Sequence, residues 1–268
     1  MESKDTILIL LLSSPCSNTQ EEQPEIDTST EYDLGEGSGD GLCEPDYSSA
    51  VYDPYPSLHT GYPLYHVADI PTAWPNENFD GYGHNALIAS SSSNISHIDV
   101  TSGHLYSKHL NGSQVWKRGW VQSTVFRMLA KGLHNGGRVR WKDGTQTVRV
   151  YFDAIHSNAP HFAGAHLFAR YQTENDLYVA SLRHDGQVMI KKKHCETYTT
   201  LAVAPFSQGE VELNRWYELS FAVHGSELIF SVDGYEELTT TDSTLSWGSM
   251  GIRLDYTDTY LDDWYLDP

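Results

Sequence analysis

Arg215-Trp216-Tyr217-Glu218-Leu219-Ser220-Phe221-Ala222-Val223-His224-Gly225-Ser226-Glu227-Leu228-Ile229-Phe230-Ser231-Val232-Asp233-Gly234-Tyr235 decides how the rest of the chain is read. Aromatic and aliphatic residues crowd 216–224 and 227–232, and Asp233-Gly234 supplies the positive backbone angle that a tight hairpin turn needs. Trp216, Leu219 and Phe221 are expected in the core. The same grammar recurs upstream, where Arg183-His184-Asp185-Gly186-Gln187 carries a second Asp-Gly turn between β-rich runs. From about residue 95 the runs are 103–108, 124–129, 147–156, 165–172, 177–183, 188–193, 197–202, 216–224, 227–232, 251–256 and 260–267. Consecutive runs are short, and no helix-length periodic segment separates them, so they pair antiparallel. The expected fold is all-β, a two-sheet antiparallel sandwich, which this pattern suits better than an α/β architecture.

The first fifty residues follow different rules. They hold twelve acids against the single base Lys4, within a chain of 268 residues and formal net charge −19. So acidic a chain argues against nucleic-acid binding, which draws its affinity from Lys and Arg on phosphates. Ile7 to Leu12 is a short apolar run followed by Ser13-Ser14-Pro15-Cys16, which resembles a truncated bacterial lipoprotein signal. That reading divides the chain into an address at 1–18, an acidic solvated linker at 19–48 and one folded domain at 49–268. Cys16 would carry the lipid, the only membrane attachment expected. An ordinary acidic tail on a soluble protein is the alternative. Tyr52, Tyr55, Tyr62, Tyr65 and Trp74 suit a wrapping segment over the sandwich rim. The other cysteines, Cys43 and Cys195, either pair and pin the linker to a turn or stay free thiols.

The C-terminal half carries a resemblance. Arg215 to Leu219, Val223 to Leu228, Val232-Asp233-Gly234, Gly248-Ser249-Met250-Gly251-Ile252 and Leu261-Asp262-Asp263-Trp264 resemble the closing half of concanavalin A-like, laminin-G-like jelly rolls in bacterial extracellular carbohydrate-active proteins. His166 to Gln172, Asn175 to Arg183 and Val188 to Lys193 are similar to another pattern in secreted members of that superfamily. The resemblance implies a jelly roll, an extracellular or cell-surface location, a polysaccharide partner and a monomer. Asp262 and Asp263, joined by Asp80, are the candidate ligands of a structural calcium ion, a hard cation that prefers several oxygens and that also occurs in the resembling proteins.

Period-two alternation assigns faces. Arg149, Tyr151 and Asp153 oppose Val148, Val150 and Phe152; His166, Phe168, Arg170 and Gln172 oppose Leu167, Ala169 and Tyr171; Lys191 and Lys193 oppose Val188, Ile190 and Lys192. A groove built from the polar sets would present Arg and Lys to a sugar carboxylate and Tyr and His for proton transfer. The first reading is recognition of an acidic glycan, with Arg149, Asp153, Tyr178, Lys191 and Lys193 as substrate-binding residues. The second is a lyase cleaving a uronic-acid polymer by β-elimination, with Tyr151, Tyr171 or Tyr178 and His156 or His166 as the candidate acid and base, Arg170 on the carboxylate and Gln172 completing the set. The third is a structural or adhesive surface lipoprotein. The alternating Glu-x-Asp-x-Glu run of well-known hydrolases of this fold is absent, leaving for a hydrolase only acids from separate strands, such as Asp153 with Glu174 or Asp176.

Overall fold

The computed structural model describes Glu77, Phe79, Tyr82 and residues 85–92, 97–110, 117–130 and 141–267. The boundaries expected at 1–18 and 19–48, and Asp80, lie outside the described residues. Among the described residues, thirteen strands run in order as β1 (Leu87–Ser90), β2 (Ile98–Ser102), β3 (His104–His109), β4 (Lys117–Ala130), β5 (Gly144–Ile155), β6 (Gly164–Thr173), β7 (Asp176–Arg183), β8 (Gln187–His194), β9 (Thr197–Pro205), β10 (Trp216–His224), β11 (Glu227–Val232), β12 (Tyr235–Thr241) and β13 (Ser249–Asp267). Every pairing among them is antiparallel.

Two long strands make the sandwich. Residues 249–255 of β13 pair with β6, whereas 257–267 pair with β5, and Tyr256 between them takes φ 52. On its other edge β13 follows β4, whose end pairs with β2 and whose start pairs with β3. The first sheet is therefore β2-β4-β13-β6-β7-β8-β9 and the second β1-β3-β4-β13-β5-β10-β11-β12. Val148, Val150 and Phe152 of β5, Tyr217, Leu219, Phe221 and Val223 of β10, and Leu228, Phe230 and Val232 of β11 meet Leu167, Ala180, Leu182 and Ile190 of the first sheet in one core. Truncating any of these phenylalanines to alanine is worth about 3–5 kcal/mol. Trp216 is a correction: it is even where the core residues of β10 are odd, so it stands on the outer face.

The Asp233-Gly234 hairpin forms as read, with φ 52 and 79. The β8–β9 turn uses Cys195 and Glu196 at φ 52 and 66 without a glycine. Cys195 is disulfide-bonded there, to a partner outside the described residues. The runs expected at 251–256 and 260–267 are one strand, because polar Thr257 and Thr259 are buried and hydrogen-bond each other at 2.8 Å.

Candidate functional site

The outer face of the second sheet carries a row of aromatic side chains in direct cross-strand register. Trp216 of β10 lies opposite Tyr151 of β5, Tyr151 opposite Tyr260 of β13, Tyr260 opposite Trp120 of β4, and Trp120 opposite Tyr106 of β3. Ring centroids are 5.4 Å apart for Tyr151–Trp216, 5.9 Å for Tyr151–Tyr260 and 6.4 Å for Tyr106–Trp120, in the tilted and edge-on geometries that aromatic quadrupoles favour. The inner tyrosines are only 5% and 6% exposed, and Tyr151 donates to Asn214 Oδ1 at 3.2 Å. Trp216, Trp120 and Tyr106 are half-buried and offer ring surface.

Two residues along each strand lies a row of charges: Glu218, Arg149, Asp262, Arg118 and Lys108. Arg149 sits 4.8 Å and Arg118 5.9 Å from the Trp216 ring, and Lys108 Nζ lies 3.3 Å from the Trp120 centroid. Asp262 accepts an ion pair from Arg118 Nε at 2.6 Å, with Arg149 at 3.9 Å. Burial pushes its carboxyl up to about 6, against the pull of Arg118 and with the repulsion of Asp263. The other border of the aromatic row is acidic, with exposed Asp153 and with Asp258, which His156 approaches at 3.0 Å.

Arg149, Tyr151 and Asp153 thus lie on the face that alternation assigns them, but the rest of the expected groove lies elsewhere. His166 is on the outer face of the first sheet, hydrogen-bonded through Nδ1 to Ser181 Oγ at 2.8 Å and 3.4 Å from Asp255. Although burial raises the Asp255 carboxyl, the Arg253 guanidinium first and then His166 hold it below the ordinary carboxylate value. Lys191 and Lys193 share that face, near Tyr198 at 5.7 and 5.2 Å. Tyr151 and His166 stand on opposite outer faces, so these two are not brought together, whereas His156 borders the row that holds Tyr151.

Arg170, Gln172 and Tyr178 require correction. Arg170 takes φ 48, which breaks the alternation of β6 and turns Tyr171 onto the face of Phe168, where the rings stack at 5.8 Å. The buried guanidinium donates to the carbonyls of Lys142, Leu245 and Gly225 and pairs with Asp143 at 3.2 Å, a loop-fastening role. Burial lowers its pKa. Gln172 is buried and donates to the Trp247 carbonyl at 2.9 Å. Tyr178 lies in the core, its hydroxyl bonded to Asp242 and accepting from the Leu245 amide at 3.0 Å, with burial pushing the phenol up.

Of the expected calcium ligands, Asp80 lies outside the described residues, while Asp262 and Asp263 face Arg118 and Arg149. Sequence reasoning missed Tyr106, Trp120, Trp216 and Tyr260. Parity within β10 marks Trp216 as outward, but the register that aligns the row joins residues as far apart in sequence as Trp120 and Tyr260 and has no local signature.

No protein-family model matches this sequence, and no curated protein sequence matches it. Among solved structures, a carbohydrate binding module from Bacillus subtilis is similar at 15% identity and TM-score 0.50, over 65% of this chain and 98% of that one. A Bacillus subtilis protein of unknown function with a galectin-like fold follows at 12% identity and TM-score 0.44, over 69% and 97%. Lectin II from Ulex europaeus matches at 11% and 0.43, over 65% and 93%. With thirteen antiparallel strands among the described residues in two stacked sheets, the chain has the concanavalin A-like jelly-roll fold.

Proposed function

We propose that this protein binds an acidic polysaccharide on the outer face of the second sheet. The observation that carries the reading is the five-strand aromatic row bordered by Arg149, Arg118 and Lys108. Sugar rings offer apolar faces to indoles and phenols, and guanidinium and ammonium groups beside those rings suit a carboxylate better than a neutral hydroxyl. The Bacillus subtilis module that shares the fold is itself a carbohydrate binding module, which supports the general class. Recognition is favoured over cleavage because Arg170, which the lyase reading puts on the sugar carboxylate, is buried and donates to the carbonyls of Lys142, Leu245 and Gly225.

An extracellular or surface location is part of the proposal. The disulfide at Cys195 supports an oxidising compartment, and the lipoprotein-like start supplies a means of attachment. Calorimetric titration with a panel of acidic and neutral polysaccharides tests the binding. The acidic members bind, and Trp216→Ala weakens them at least about ten-fold, or 1.4 kcal/mol. Equal affinity in the variant, or binding confined to neutral glycans, contradicts the reading.

A further inference from the structure

The aromatic row is not uniform. Its two central members, Tyr151 and Tyr260, are almost fully buried, while the indoles towards its ends keep exposed surface. Each indole has its own cations: Arg149 and Arg118 beside Trp216, and Lys108 over Trp120. Lys108 covers its ring closely. The Trp120 Nε1 is buried and finds no acceptor among the described residues. Ring faces and cations are thus concentrated at two places with a phenolic floor between.

From this, and resting on the acidic-glycan reading, we infer that the face holds two anionic-sugar subsites, Trp216 with Arg149 and Trp120 with Lys108. One glycan chain running across the strands bridges them. Trp216 is on β10 and Trp120 on β4, with β5 and β13 between them in the register. Three interstrand steps place the subsites about 14 Å apart. That is the reach from the first to roughly the fourth ring of an extended pyranose chain, so shorter ligands engage one subsite at a time. A ligand long enough for both gains the second contact intramolecularly, and its affinity rises in a step. The class specified is an extended, internally recognised acidic chain, not a single terminal sugar.

Oligogalacturonides of two to six units, titrated calorimetrically into the full chain, test this. Dimer and trimer bind weakly and alike, the tetramer binds at least about ten-fold tighter, and longer chains add little. Trp120→Ala and Lys108→Ala flatten the profile; Trp120→Phe, which keeps a ring in place, retains part of the step and guards against misfolding. A smooth rise with length, or a step that survives both alanine variants, overturns the two-subsite arrangement. If hexamer binding is lost in Trp216→Ala yet no step is seen, only the arrangement falls. If the hexamer binds equally well to Trp216→Ala, or no oligomer binds at all, the acidic-glycan reading falls with it.

Discussion

Arg170 shows what a single side chain decides in this fold. Its guanidinium, 4% exposed, ties the loops around Lys142, Leu245 and Gly225 to β6. Arg170→Ala strips those acceptors of their donor, and a loss of about 3 kcal/mol is expected in urea unfolding, with Arg170→Lys recovering little because one ammonium cannot reproduce the fork. The sequence offered no warning of this role, since a left-handed backbone angle at an arginine has no compositional marker as it does at glycine. Arg149 and Tyr151 were legible because Val148, Val150 and Phe152 alternate with them without interruption. Asp242 carries a pH prediction. Burial raises its carboxyl, but Lys192, Tyr178 and Thr244 prevail and hold it at about 2 against an ordinary 3.8. The folded state therefore binds fewer protons than the unfolded chain, and stability from Asp242 is present above pH 3.8 and lost as pH falls towards about 2. Unfolding midpoints across that interval fall in the wild type and fall less in Asp242→Asn.

At the scale of elements, β4 and β13 hold the two sheets together by belonging to both. The entry to β13 is tight: a Cβ on Gly248 would overlap the backbone of Arg170, where no flexible side chain can give way. Gly248→Ala is expected to cost more than about 2 kcal/mol, read as a lowered unfolding midpoint, whereas Gly225→Ala, with open space around it, costs less. Most strands could be read from alternation and Asp-Gly turns, yet β12 could not. Its Tyr-Glu-Glu-Leu-Thr-Thr-Thr is an edge strand with only Leu238 buried, so it lacks the apolar period that marked its neighbours. The aromatic row was hidden for a different reason. Each of its members is one outward residue on one strand, and only the pairing of five strands makes them a line.

The whole molecule presents two outer faces with separate business. On the first sheet, His166, Ser181, Asp255 and Arg253 form a buried polar network; on the second lies the cation-bordered aromatic row. His166→Ala should destabilise the protein by about 1–3 kcal/mol, by leaving hydrogen-bonding groups unpaired, without changing glycan affinity. Joint effects on both would tie the faces together and contradict that separation. Hydroxyl-radical footprinting with and without a saturating acidic polysaccharide tests the location of the site most directly. Trp120 and Trp216 should be protected from oxidation, with Met189 and Tyr198 on the opposite sheet unchanged. Protection of Met189 and Tyr198 with both indoles still reactive would place the glycan on the other face and contradict the account.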